Sequence, residues 1–520
     1  MEHLAERAPQ SSTLDGVVDA PAPAAEIVTP DDVRYDLLAR ADNYRFVARP
    51  EYFRLAHTPK QVEQAVGEAV AAGKRLTVRS GGHCGEAFVA SPDVQVILDL
   101  SPMSHVGFDR ERNAFVIEAG ATVGRVLQTL FRGWGVTIPA GFCMGVGAGG
   151  HICGGGYGPM SRLLGLTVDY LHAVEVVVVD ENGVASTVVA TREDDDPNRD
   201  LWWAHTGGGG GNFGVITRYW MRSPDATGTD PARLLPRAPG MVHIAEVEWP
   251  WPELTERAFV RLARNFVRWQ LANSDVDSPN VDLYALMRCM HQSAGHVAMH
   301  TQIPADRPDA ASRWDRFLDE LNAGVGVTPL VRRQTLPWLA ASRYLAVPDT
   351  GPWAIAARRK VKSADLRGPH TEEQLVAAYR HLTDPDYHGP NSSMEYIGYG
   401  GRVNTVSPSA TAIPRGAVVK TFYMAAWNDP AEDDQHIRWM RELYRDVHAE
   451  TGGVPVPNEV NTGAYVNYPD IDLADPEWNT SGVPWHTLYY GENYPRLQEV
   501  KAKWDPRNVF RHALSIRPPR

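Results

Sequence analysis

The stretch that decides the fold reads Gly141-Phe142-Cys143-Met144-Gly145-Val146-Gly147-Ala148-Gly149-Gly150-His151-Ile152-Cys153-Gly154-Gly155-Gly156-Tyr157-Gly158. Eight glycines fall between 145 and 158, a density that disfavours the interior of either a helix or a strand. The expectation is irregular backbone that passes close to something flat or takes positive φ. Gly145-x-Gly147-x-x-Gly150 has the spacing of the dinucleotide fingerprint, and Asp169 stands about twenty residues further on, where a ribose-binding acid belongs. That fingerprint needs a strand before it and a helix opening at it. Glycines that continue to 158 argue against the helix, and so against a nicotinamide-type site.

Upstream, Thr58-Pro59-x-Gln61 offers an N-cap, a proline at the first helical position and a capping glutamine. Val62, Ala65, Val66, Ala69 and Val70 then share one helical face until Gly73. Leu76-Thr77-Val78 reads as a short strand that runs into the turn Arg79-Ser80-Gly81-Gly82-His83, with further strands around 94–100 and 114–118 and a helix over 122–134. Downstream, 173–179 and 184–189 form a hairpin about Asp180-Glu-Asn-Gly183, and five glycines at 207–211 lead into Asn212-Phe-Gly214-Val215. From about 224 to 456 the texture changes to longer helical patterns (254–271, 313–321, 372–382, 433–450) among strand-like pieces such as 418–425. Aromatic and glycine punctuation returns in Gly463-Ala-Tyr465-Val-Asn467-Tyr468-Pro-Asp470 and the closing Asp505-Pro-Arg-Asn508-Val-Phe510.

These shifts predict an α+β protein of two units: a first domain of residues 31–223 and 457–520, wrapped around an inserted domain of residues 224–456. Residues 1–30, rich in alanine and proline without a cationic start, read as a disordered extension and not a secretory signal. The chain has 520 residues, 43% of them apolar, and a formal charge of −12, which argues against binding to nucleic acid or to anionic lipid. No run of apolar residues is long enough to span a membrane. Four cysteines, none in a C-x-x-C pair, suit reduced thiols in a cytoplasmic protein better than a disulfide framework.

Read by residue type alone, the chemistry stays open. The 79–83 turn points successive N–H groups into one concavity, a form that neutralises pyrophosphate oxygens, and Arg79 can add a cation; a plain tight turn with a surface histidine is the competing reading. His83 and His151 lack the spacing of a metal site, so no metal is expected. Cys143 sits in irregular backbone where an electrophile can reach a thiolate, while Cys84 and Cys153 read as small buried residues. Tyr157, Tyr465 and Tyr468 are either core aromatics or bases, and a phenol acts as a base only when neighbouring donors or cations bring its pKa down from about 10.

Taken together and in order, Arg79-Ser-Gly-Gly-His83, the 141–151 run, Trp203-Ala-x-x-Gly-Gly-Gly-Gly-Gly-Asn-Phe-Gly214-Val-Ile-Thr217, and the stretch from Tyr465-x-Asn-Tyr-Pro-Asp470 to Asp505-Pro-Arg-Asn-x-Phe510 resemble the berberine-bridge-enzyme-like FAD oxidases of p-cresol methylhydroxylase fold. The likeness is strongest to the hexose oxidases of teicoplanin-type glycopeptide assembly. It implies a two-part FAD-binding domain with an inserted antiparallel sheet covered by helices. It also implies FAD bound covalently through His83 (to the 8α-methyl) and Cys143 (to C6), since the separation of these two, and not that of His83 and Cys153, is that of bicovalent members. Arg79, Ser80, Gly81, Gly82, Gly145, Gly147, Gly150, His151, Gly155, Gly158, Val215, Asn467 and Asn508 are the further cofactor-binding positions it implies.

Two attachments would hold the ring rigidly, leave its substrate side open to a bulky molecule and raise the flavin potential. The resemblance implies Tyr465 as the base for a substrate hydroxyl, Tyr157 as its partner and Tyr468 as second choice. The expected reaction is oxidation of an alcohol on a sugar or glycosylated natural product, with oxygen reduced to hydrogen peroxide, by a monomer or homodimer. Oxidative cyclisation or quinone formation on a polyketide- or alkaloid-like scaffold, and a drug-sequestering resistance flavoprotein, are the alternatives. Thr206 stands where many relatives carry arginine, and no glutamate occupies the base position of the cyclising members, which lowers the case for ring closure.

Overall fold

A computed structural model describes residues 24–345 and 358–519. The helix at Pro59–Ala71 forms as its cap dictates: the Thr58 side chain accepts from the Gln61 N–H at 3.3 Å, and Gln61 Oε1 accepts from the His57 N–H at 2.7 Å. Its apolar face, Val62, Ala65, Val66 and Ala69, is buried. The neighbouring strands make a four-stranded sheet in the order Glu26–Val28, Tyr52–Leu55, Val96–Asp99, Leu76–Arg79, in which the last three run parallel. Arg79 therefore ends a parallel strand at its carboxyl end, the edge at which open α/β sheets bind ligands.

A second sheet has five antiparallel strands in the order Val106–Asp109, Ala114–Glu118, Val215–Met221, Leu171–Val179, Ala185–Thr191. The Leu171–Val179 strand is buried almost throughout, which is why it reads as a continuous apolar run. The third sheet has eight antiparallel strands: Leu330–Pro337, Met241–Pro250, His296–Pro304, Tyr284–Met290, Ser393–Gly398, Val419–Trp427, Arg358–Leu366 and Asn461–Gly463. The helices Glu256–Ala272, Ala310–Asn322, Glu372–Leu382 and Asp433–Val447 pack on this sheet and on one another through strongly one-sided apolar faces. The fold class is α+β, as expected.

Three expectations change. Of the 1–30 extension, residues 1–23 lie outside the described residues, whereas Glu26–Val28 is a strand paired with Tyr52–Leu55 and so is ordered. The glycine-rich stretch does contain a short helix, Ala148–Cys153, because Ala148, Ile152 and Cys153 bury fully and Gly149 lies where a Cβ would come within 2.9 Å of Ala119 O. Packing overrides propensity there, yet no strand precedes the helix, so the dinucleotide fingerprint still fails. Finally, Asn461–Gly463 follows residue 456 but joins the edge of the eight-stranded sheet, pairing with Asp365 and Leu366, so the chain enters its last segment already anchored to that sheet.

Candidate active site

The 79–83 turn and the glycine-rich run meet. A Cβ on Gly81 would stand 2.4 Å from Gly147 N, and one on Gly147 would stand 2.1 Å from Ser80 Oγ, so only glycine fits at either point. Ser80 Oγ donates to Ala119 O at 2.5 Å, and the Val123 and Gly124 N–H groups donate to Val146 O and Met144 O. These bonds stitch the turn, the start of the Val123–Trp134 helix and the Cys143-bearing loop into one wall. Beside it is a cavity of about 840 Å3 whose lining includes Asp42, Ser80, Gly81, Gly82, Thr122 and Gly145. Backbone N–H groups of a glycine turn and the start of a helix are what a pyrophosphate needs. Gly150 has no atom within 4 Å of where its Cβ would stand, so its face of the run is open to a flat group.

Arg79 lines this cavity, but its guanidinium is engaged: Nη2 and Nε lie 2.6 and 2.7 Å from Asp99 Oδ2, and Nη1 donates to Leu38 O. It locks the turn to the sheet and adds little net charge. Arg40 and Arg125, which the sequence did not single out, line the same cavity. His83 Nδ1 is 3.3 Å from Asp42 Oδ2, and Asp42 also pairs with Arg359 of the eight-stranded sheet. His151 accepts the Gly141 N–H on Nε2 at 3.2 Å; burial pushes its imidazole down to about 4, so it stays neutral and braces the Cys143 loop. Val215 is wholly buried in the five-stranded sheet opposite Val177, and Asn508 sits at φ 51 with its N–H on Asp505 O. Both act through the frame of the fold.

The tyrosines converge from the other side. Tyr465 follows the Asn461–Gly463 edge strand, and its Oη accepts two N–H donors, Gly156 N and Asn467 Nδ2, each at 3.1 Å. Asn467 Nδ2 also donates to His151 O at 3.1 Å, which ties the Tyr465 loop to the glycine run. Gly154 makes this possible, since a Cβ there would fall 2.0 Å from Asn467 Oδ1. Lys420 Nζ lies 4.3 Å from the centre of the Tyr465 ring and 2.8 Å from Asp365 Oδ2, with its side chain 2% exposed. Burial pushes the Tyr465 phenol well above its ordinary value, and the Asp365 carboxylate adds to the rise; the Gly156 N–H and Asn467 lower it only in part.

The expected pairing of Tyr157 with Tyr465 holds only for the rings, whose centres are 5.4 Å apart; the Tyr157 hydroxyl is bonded to that of Tyr468, at 2.6 Å. Burial drives both phenols of that pair well above their ordinary range. The rings of Tyr157, Tyr465 and Tyr468 lie within 6.3 Å of one another, and Cys143 is in the neighbourhood of Tyr468 and of Tyr284 of the eight-stranded sheet. Two N–H bonds on the hydroxyl and an ammonium over the ring are features that favour the charged form of a phenol. Among the three tyrosines Tyr465 best fits that description.

The whole frame is clamped by buried charge. Lys360 Nζ is 2.7 Å from both Glu86 Oε1 and Asp470 Oδ1, and Lys362 Nζ is 2.7 Å from Asp470 Oδ2 and from Asp472 Oδ2. Glu86 lies three residues past His83 and Asp470 two past Tyr468, so this network joins the His83 loop to the tyrosine loop.

Residues 50–186 match the family model described as "FAD binding domain", and residues 464–517 match "Berberine and berberine like". The aclacinomycin-N/aclacinomycin-A oxidase of Streptomyces galilaeus is 49% identical over 94% of this chain and 89% of its own length. The chain belongs to the berberine-bridge-enzyme-like FAD oxidases. Among solved structures, CrmK, a flavoenzyme involved in the shunt product recycling mechanism in caerulomycin biosynthesis, is 73% identical with a TM-score of 0.94, over 96% of this chain and all of that one. The glycopeptide hexose oxidase DBV29 complexed with teicoplanin is 49% identical with a TM-score of 0.91, at the same coverage. This oxidase is thus an FAD-linked oxidoreductase, and the glycine-lined wall described above is part of its FAD-binding domain. Among the described residues no helix is long and apolar enough to cross a membrane.

Proposed function

We propose that this oxidase removes two hydrogens from an alcohol of a small natural product, with Tyr465 taking the hydroxyl proton. The observation that carries the proposal is the pair of N–H donors on Tyr465 Oη, under Lys420, in the neighbourhood of Cys143. FAD bound there would supply the acceptor for the hydride and pass the electrons to oxygen, giving hydrogen peroxide. Tyr465, as phenolate, accepts the substrate O–H proton on Oη while Gly156 N–H and Asn467 Nδ2 hold its charge in place. Tyr157 and Tyr468 border the same space as a neutral hydroxyl pair.

His83 and Cys143 are proposed as the two covalent attachment points. What supports this is that their loops are joined through Gly81 and Gly147, and that Asp42 holds His83 in one orientation. The cofactor domain is taken as residues 31–223 and 457–520 and the substrate domain as 224–456, with the alcohol held between them. A cytoplasmic location belongs to the same proposal, supported by four cysteines none of which is in a disulfide. The relatives act around glycosylated and pathway-specific natural products, so caerulomycin-pathway alcohols and sugar-bearing antibiotics make the first substrate panel. Tyr465→Phe is the test: turnover should fall by about a thousandfold or more while FAD content stays at the wild-type level. Full turnover in the variant refutes the assignment.

A further inference from the structure

The eight-stranded sheet turns a polar row toward the tyrosines. Directly paired residues of neighbouring strands share a face. Tyr284 pairs with Gln302, Arg288 with Glu395, and Glu395 with Phe422; Tyr284 and Arg288, four apart in one strand, share that face too. Phe422 packs on Tyr468 with ring centres 4.6 Å apart, so the row from Gln302 to Phe422 looks into the tyrosine space. At its far end Gln302 Nε2 donates to Met160 Sδ at 3.5 Å, just past Tyr157. Tyr284 is also a neighbour of Cys143.

Three polar atoms in this row lack a hydrogen-bond partner among the described residues, Tyr284 Oη, Gln302 Oε1 and Arg288 Nε, and the first two belong to directly paired residues. Tyr284 and Gln302 are 3% and 2% exposed, and among the described residues neither Tyr284 Oη nor Gln302 Oε1 has a hydrogen-bond partner. Buried polar atoms are nearly always partnered, and an orphan is costly. Arg288 Nε is 3.3 Å from Glu395 Oε1, which also accepts from Ser393 Oγ at 3.0 Å, so the two charges of the row lie against each other although Arg288 Nε makes no hydrogen bond. A phenol that donates and a carbonyl that accepts, on paired strands, suit a group that both accepts and donates.

We propose that Tyr284 and Gln302 form a recognition subsite for a second, neutral hydroxyl of the substrate, distinct from the one oxidised. That hydroxyl accepts from Tyr284 Oη and donates to Gln302 Oε1. The proposal rests on the alcohol-oxidase reading and narrows it to substrates with at least two hydroxyls.

The test uses the FAD-loaded enzyme and matched alcohols: 3- and 4-hydroxybenzyl alcohol against benzyl alcohol, and D-glucose against its 2-, 3- and 6-deoxy analogues. Dissociation constants come from the flavin absorbance change and kcat/KM from peroxide release. Sites that bind a substrate hydroxyl reject the analogue lacking it by large factors, so at least one pair should differ by about tenfold or more in favour of the hydroxylated member. Gln302→Leu and Tyr284→Phe, each close to isosteric, should bring that ratio to within about threefold. Tyr465→Phe serves as the control, keeping the wild-type dissociation ratios while losing turnover. Ratios unchanged in both sheet variants overturn the subsite and leave the two atoms merely hydrated. Ratios that collapse there while Tyr465→Phe still turns over instead refute the base assignment and spare the subsite.

Discussion

Replacing Asn467 by alanine removes one of the two donors that hold charge on Tyr465 Oη, at 3.1 Å, and leaves Gly156 N–H as the other. A hydrogen bond to a charged group contributes about 1.5–3 kcal/mol. Asn467 lowers the Tyr465 phenol, so its loss raises it, by about 1–2 pH units at 1.36 kcal/mol per unit. Because the phenolate is the reactive form, kcat/KM should climb with pH and the climb should move up by that amount. At a fixed pH below the climb the rate falls by about ten- to a hundredfold and recovers in alkali. Because burial holds the Tyr465 phenol above its ordinary value, the assay is kcat/KM by peroxide release from pH 6 to the alkaline limit of folding, with FAD content measured on each sample. A uniform loss at every pH would mean that Asn467 only shapes the loop, and an unchanged profile would mean that Tyr465 is not the base.

Three further perturbations follow the same geometry. Lys420→Met removes the ammonium 4.3 Å above the Tyr465 ring and should raise the same limb of the pH profile by roughly 0.5–1.5 units, a cation–π contribution of about 0.5–2 kcal/mol. Gly154→Ala places a Cβ against Asn467 Oδ1 and should reproduce the Asn467→Ala profile in a protein that still binds FAD, which absorbance spectra check. Lys360→Met strips a buried counterion from Glu86, Asp470 and Asp472 and should cost about 3–5 kcal/mol in urea unfolding. At Asp472 burial works upward but Lys362 and Lys360 outweigh it and hold the carboxyl low, so its contribution is present above about pH 4 and is lost as pH falls further.

Local chemistry was legible in the chain. Thr58, Pro59 and Gln61 mark their helix start, and the aromatic and β-branched run Phe115-Val116-Ile117 marks a strand, because both signals act within a few residues. The resemblance carried the site's outline, since the His83, Cys143 and Tyr465 motifs keep their order. Long-range contacts were not legible. Lys420 reads as one more residue of a strand, and nothing within ten residues tells of Tyr465 or Asp365; the same holds for Lys360 reaching Glu86 and Asp470. The helix at Ala148–Cys153 was missed because glycine propensity was weighed without the Ala119 carbonyl that demands glycine there. Arg79 was read as a free cation because its partner Asp99 lies on a neighbouring strand, visible only once the parallel register is known.

The most direct measurement concerns the grip on the cofactor. Acid-denatured protein run on a gel should keep flavin fluorescence on the polypeptide, retain it in His83→Ala and in Cys143→Ala, and lose it in the double variant. Wild-type protein that releases all its flavin on denaturation would contradict the account.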